Sequence, residues 1–459
     1  MEQYTHLAVS ELDQFVFGRC PYPLKVGRGL TLGAGTVYPE LNFTLAPMAI
    51  NTSTMAEVRS EYAHMADQAC ARAVALEVPG LVIEFELVPD LTLQPEWGAQ
   101  VVTVLREALD RYAASDGLAN ALRVTPNDIR EFVRPPLMRE GPKWDQMVTS
   151  FELCAEAGAD MLSIESTGGK ELHDDALLNA DLAGSVFALG VLASADMGPL
   201  WDMIGAVATR HQAVPAGDSA CGFANTAMAL ADTRHIPKVW AAVVRVLSVP
   251  RSLVAYEHGA RGPGKDCAYE NVYIKAITGY PMAMEGAEAA CAHLSPLGNI
   301  AKATADLWSN ESVQNVKLLG GMAPTVSMEQ LAYATRLMNQ ATRAGQANLL
   351  RDWLVASDMG HDPQAYVLRP DVVLRLAAEI VAEPTAYLRT RRAALAVLAE
   401  LREGQAAGEF ALTKPEANWL GRLSRQAEAL PEDEGRFIEE MVAGADRQKV
   451  RLDQYGIDL

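Results

Sequence analysis

From residue 55 onward the chain alternates between two hydrophobic rhythms. Residues 55–76 place Tyr62, Met65, Ala66, Ala69 and Ala73 on one helical face. Pro79 and Gly80 then turn the chain into Leu81-Val82-Ile83-Glu84-Phe85-Glu86-Leu87, a strand with acidic residues near its end. The exchange recurs. Residues 97–114 read as helix, 122–124 as a short strand before Pro126-Asn127-Asp128, and 144–157 as a helix that Gly158 ends. Met161-Leu162-Ser163-Ile164 is the next strand and finishes on Glu165. Helices over 181–193 and 199–209 lead to a strand finishing near Gly217, and 238–247 is helical. The pattern adds a strand at 253–255, a loop Gly262-Pro263-Gly264-Lys265-Asp266-Cys267, and helices over 271–277, 286–292 and 299–308.

Alternation of this kind predicts an α/β fold with a mainly parallel sheet. A TIM-type (β/α)8 barrel needs about 250 residues, and 76–345 is long enough to supply them. Residues 1–75 then form an N-terminal extension packed on the barrel. Its first part, to about residue 51, reads as loop-rich, with Gly27, Gly29, Gly33, Gly35, Pro39 and Pro47 at irregular intervals. The Gly-x-Gly pairs lack the spacing of a dinucleotide cradle and read as turns. Residues 346–459 form a helical C-terminal part, with amphipathic spacing at 372–382, 388–401 and 434–443.

Composition narrows the partners. A formal charge of −19 argues against nucleic acid or an anionic membrane surface. The N-terminus lacks a basic-then-apolar leader, and the apolar run 182–195 is too short to span a bilayer. Six cysteines in 459 residues fit the reduced thiols of a cytoplasmic protein better than a disulfide framework. A homodimer is expected, because most soluble oligomers are twofold symmetric.

In a barrel, the residues that follow the strands gather on one rim. Glu165, Cys221 and Cys267 each follow a candidate strand. Two thiolates and a carboxylate suit zinc, with one coordination position left open. On spacing alone the trio is weak. A lone cysteine more often packs than ligates, and no short paired-ligand motif is present. His211, His235 and His258 remain alternative ligands. Cys70, Cys154 and Cys291 sit in alanine-rich helices and read as packing, and Cys20 in its Gly-Arg-Cys-Pro turn is open.

Three long motifs change that weighting. Gly217-Asp218-Ser219-Ala220-Cys221-Gly222-Phe223-Ala224-Asn225-Thr226-Ala227-Met228 resembles the methanol:corrinoid methyltransferase family, of the MtaB type. So do Gly264-Lys265-Asp266-Cys267-Ala268-Tyr269-Glu270 and a block made of Ala292-His293-Leu294-Ser295-Pro296-Leu297-Gly298-Asn299-Ile300-Ala301 and Leu307-Trp308-Ser309-Asn310-Glu311-Ser312-Val313-Gln314-Asn315-Val316. The likeness is strongest over 165–327. The resemblance implies a barrel whose zinc is held by Glu165, Cys221 and Cys267. It also implies a partner corrinoid protein, carrying the corrinoid that this chain does not, whose cobalt(I) takes the methyl group of methanol. Asp218, Asp266, Glu84 and Glu86 are then candidates for orienting the ligands or moving a proton. A methyl ether or a methylated amine is the alternative donor for a relative of this kind. Two other classes stay open: a zinc hydrolase or lyase on the same barrel, though no His-Glu-x-x-His motif is present, and a non-catalytic protein with a structural metal.

Overall fold

The computed structural model describes residues 3–265, 267–286, 297–314 and 316–457. An antiparallel hairpin, β1 (Arg19–Val26) and β2 (Leu30–Ala34), opens the chain. Seven strands then form one parallel sheet: β3 (Tyr38–Thr44), β4 (Leu81–Glu86), β5 (Asn120–Thr125), β6 (Met161–Ile164), β7 (Val214–Asp218), β8 (Ala283–Glu285) and β9 (Leu307–Val313). Their order is β7-β6-β5-β4-β3-β9-β8. The gap between β7 and β8 is filled by residues 261–264. Arg261 N donates to Pro215 O on β7 (2.8 Å), and Ala283 N on β8 donates to Gly264 O (3.3 Å). This irregular eighth stave closes a (β/α)8 barrel in chain order.

Helices alternate with the staves. Met55–Ala75, Pro95–Asp116, Pro142–Glu156 and Ala323–Arg343 all lie on the outside, and prolines open the last three at the first or second position. Gly117, at φ +69°, ends the second in a left-handed turn. Outward strand residues such as Ile83, Phe85, Leu122, Val124, Leu162 and Ile164 are fully buried beneath these helices. Each contributes about 1.5–3 kcal/mol of burial.

The inward positions follow a different rule. At the bottom lie Tyr38, Val82, Ala121, Met161, Ala216, Ala283 and Leu307, sealed by Val26, Leu30 and Leu32 of the β1–β2 hairpin. Two and four residues further along the strands, the inward side chains turn polar: Glu40 and Asn42, Glu84 and Glu86, Arg123 and Thr125, Ser163 and Glu165, Ser309 and Glu311. Side chains that alternate across a strand thus build an apolar plug beneath a polar upper chamber.

Several expectations are corrected. The first fifty residues are loop-rich, but loop is not all they contain. They hold the plugging hairpin and β3, which lies in the sheet between β4 and β9, so the stretch before residue 76 supplies a barrel strand. Residues 253–255 are helical, inside Lys238–Glu257. That helix is covered on more than one side, packing against both Ser194–His211 and Ala386–Ala407, so its apolar residues surround it and imitate a strand. Residues 181–209 hold one continuous helix, Leu182–His211, instead of two. Residues 299–308 divide into the helix Gly298–Lys302 and the start of β9. Most of the helix expected at 286–292 falls outside the described residues, as do Cys291 and Asp266. Leu182–His211 and Lys238–Glu257 are long and apolar enough to cross a membrane, and both are packed inside the fold.

Candidate metal centre

Glu165, Cys221 and Cys267 come from three adjacent staves. Glu165 follows β6. Cys221 opens a π-helical turn, Cys221–Asn225, just after β7, a local irregularity often found at functional sites. Cys267 follows the irregular closing stave. Two residues on, buried Tyr269 holds φ +66°, a conformation costly for a tyrosine and typical of a backbone over-determined by its surroundings.

One donor atom from each of the three residues lies within 4.8 Å of the others. Glu165 Oε1 is 3.9 Å from Cys267 Sγ. The structure brings the Cys221 and Cys267 sulfurs into direct contact, with Cα atoms 5.7 Å apart. Ligation requires this pair reduced, because the thiolate is the metal ligand. Asn225 Nδ2 lies 3.7 Å from Cys221 Sγ and Ser219 Oγ 3.9 Å from Cys267 Sγ, so each sulfur has a polar neighbour. Reduced, the donor set of two thiolates and one carboxylate fits zinc. His211 and His258 instead bond the surface acids Glu152 and Asp202, and His235 bonds Thr233.

Lys265 governs the charge of the chamber. Its ammonium is buried, 2.8 Å from Glu165 Oε1 and 3.6 Å from Glu84 Oε1, and it also bonds Glu86. Burial alone would lower its pKa, but Glu165, Glu84 and Glu86 outweigh burial and hold it well above the ordinary lysine value. Burial raises Glu84 and Glu165 to about 7 each, against the pull of Lys265. Glu311 is pushed well up, first by Glu285 and then by burial. Asn42 Nδ2 bridges the acids, donating to Glu311 Oε1 (3.1 Å) and Glu86 Oε2 (3.3 Å). Below them Arg123 is buried, with Nε 2.6 Å from Glu40 Oε1 and further bonds to Ser163 Oγ (2.9 Å) and Pro263 O (2.6 Å). It ties three staves and the closing segment together beneath the site.

A second buried cluster fixes the loop that carries Glu165. Asp218 Oδ1 accepts from Ser166 N and from Arg251, both at 3.2 Å. Asp128 Oδ2 accepts from Thr167 N (2.8 Å) and Thr167 Oγ1 (3.0 Å), while Arg130 spans Asp128 and Asp196. Tyr455, near the C-terminus, reaches the same loop, its hydroxyl accepting from Gly169 N at 3.0 Å. Beside Glu165 a cavity of about 210 Å³ opens to the rim, lined among others by Glu86, Asn127, Phe132, Thr167 and Gly222.

The family model described as "Methanol-cobalamin methyltransferase B subunit" matches residues 1–456. The chain belongs to that family. Among its relatives, the methanol–corrinoid protein co-methyltransferase of Methanosarcina barkeri is 39% identical over 443 residues, which cover 96% of this chain and 95% of the relative. A chain from the crystal structure of the methanol:cobalamin methyltransferase complex MtaBC of Methanosarcina barkeri superposes with a TM-score of 0.96 at 38% identity, each chain covered in full. In this family member the sequence alone missed Lys265, Arg123, Glu40, Asn42 and Glu285 as parts of the chamber. The signal was there: inward positions of successive strands carry charge where a packed barrel would carry Val or Leu.

Proposed function

We propose that this chain binds one zinc ion through Glu165, Cys221 and Cys267 and moves the methyl group of methanol to the cobalt(I) of a partner corrinoid protein. The observation that carries this reading is the convergence of those three donor atoms at the barrel rim, in a chain of this family. Bound there, the metal would supply Lewis acidity toward the oxygen of the donor. The partner's cobalt(I) would supply the electron pair for the methyl carbon, and the departing hydroxyl would need one proton to leave as water.

The chain's own residues shape that step. Lys265 offsets part of the charge of Glu84, Glu86 and Glu165 and keeps the Glu165 carboxylate turned into the chamber. Glu84, raised to about 7, retains a carboxyl proton near neutrality, with Thr125 Oγ1 donating to its Oε1 at 2.8 Å. It is the reservoir for the proton the leaving oxygen needs. Asp218 positions the Glu165 loop through Ser166 N and Arg251. Among the described residues no side chain of the chamber is activated to displace hydroxide from carbon, which favours a nucleophile supplied by the partner. We further propose a homodimer. Exposed Tyr333 and Leu337 on one helix, and Leu349 and Trp353 on the next, supply an apolar face for it.

The test is a spectroscopic assay of cobalt(I). Zinc-loaded protein, methanol and reduced corrinoid protein together should consume cobalt(I), and omitting any one should stop it. A panel of methyl ethers and methylamines fixes the donor. Release of a demethylated product without corrinoid would overturn the reading in favour of a hydrolase.

A further inference from the structure

Two apolar points stand on the rim around the mouth of the chamber. The first is a small hairpin, Lys317–Leu318 paired with Gly321–Met322, that rises just beyond the end of β9. Its base is pinned: Gln314 N donates to Thr44 O at the end of β3 (3.0 Å), Gln314 Nε2 to Glu61 Oε2 (2.7 Å), and Ala323 N to Val316 O (2.8 Å). Its tip is bare. Leu319 is fully exposed, and Val316 and Leu318 are exposed as well. The second point is Phe132, beyond β5, half-exposed and lining the cavity that reaches Glu165. In the ring, β4 and β3 lie between β5 and β9, so the two points flank the opening.

We propose that the Leu318–Leu319 tip and Phe132 are paired anchors that seat the corrinoid protein over the mouth. The inference rests on the proposed function and adds to it the surface the partner uses. Cobalt must come within bonding reach of a methyl group below the rim, so its carrier has to cover this opening and therefore meets both points. A second copy of this chain seated there would block the corrinoid from the chamber. Phe132 belongs to the aromatic class enriched at interface cores, and Val316, Leu318 and Leu319 together expose apolar surface on a pinned hairpin whose removal from water favours association. Leu318 and Leu319 are exposed and are not among the three candidate metal donors, so the tip contributes to docking and not to metal binding.

The test compares wild type with L318S/L319S and with Phe132→Ala, as full chains with zinc. Calorimetry should show the Kd for the corrinoid protein rising tenfold or more in L318S/L319S. In turnover the loss should fall on KM for the corrinoid protein, with kcat, KM for methanol and zinc content held. Phe132→Ala should weaken the same Kd, and the triple variant should weaken it further. An unchanged Kd in L318S/L319S beside a wild type that binds and turns over would overturn the inference alone. So would a variant whose only defect, by light scattering, is loss of self-association. A wild type that neither binds nor methylates the corrinoid protein would overturn the functional reading as well.

Discussion

Glu84→Gln separates the proton-holding role of this residue from mere packing. Glu84 is buried, accepts from Thr125, and faces Lys265, Glu86, Glu40 and Arg123. Burial raises it from 4.5 to about 7, with Lys265 and Arg123 pulling it down and Glu40 and Glu86 pushing it up. The sign follows. Between pH 4.5 and 7 the folded protein keeps a proton that the unfolded chain gives up. This contribution to stability is complete below pH 4.5 and is lost as pH rises through about 7. At about 1.4 kcal/mol per pH unit the loss is roughly 3 kcal/mol. Gln is nearly isosteric, still accepts from Thr125, and does not ionise. Metal-free, reduced Glu84→Gln should therefore gain on wild type by roughly 3 kcal/mol between pH 5 and 8 in urea unfolding, retaining a shallower slope from Glu165, which shifts the same way. In the zinc-loaded enzyme the same variant lacks the proton, and kcat should fall about a hundredfold or more. Parallel stability curves for the two proteins across that pH range would refute the reasoning.

Under reducing conditions Cys221→Ser and Cys267→Ser should lose zinc by metal analysis, while Cys154→Ser, a buried packing residue, should retain it. Arg123→Met leaves Glu40 buried beneath the site without its cation and should lower stability by about 3–5 kcal/mol in denaturant titrations. Gly217, at φ +132°, has no room for a side chain: a Cβ there would lie 2.8 Å from Tyr256 Oη and 2.9 Å from Gly264 Cα. Gly217→Ala should cost roughly 1–3 kcal/mol in the same assay.

The barrel was legible where apolar residues face the outer helices, since Ile83, Phe85, Leu122 and Val124 mark their strands plainly. It was hidden where inward positions are polar. β3 alternates Glu40 and Asn42 with Leu41 and Phe43 behind prolines and glycines, so it reads as loop. The closing stave is four residues with a proline and two glycines and carries no strand signal, while Leu253-Val254-Ala255 imitates one inside a helix apolar on all sides. The three donors were suggested by their positions after strands, but only the long motifs raised them above packing cysteines. Lys265 lay in one of those motifs without a role, because its partners Glu84, Glu86 and Glu165 meet it only once the sheet curls.

The closing stave also makes the barrel unequal around its circumference. Six of its eight joins are parallel strand pairings, but residues 261–264 are held by few backbone bonds, and β7 meets β6 with a slipped register. Glu165, Cys221 and Cys267 sit at the tops of those same three staves. An ion gripped by all three would work as a clasp across the seam, joining neighbours that the backbone leaves loosely stitched. Catalytic centre and fastening then coincide. Emptying the site would loosen amide protection first along β7 and 261–264 and leave the β3–β4–β5 wall as it was.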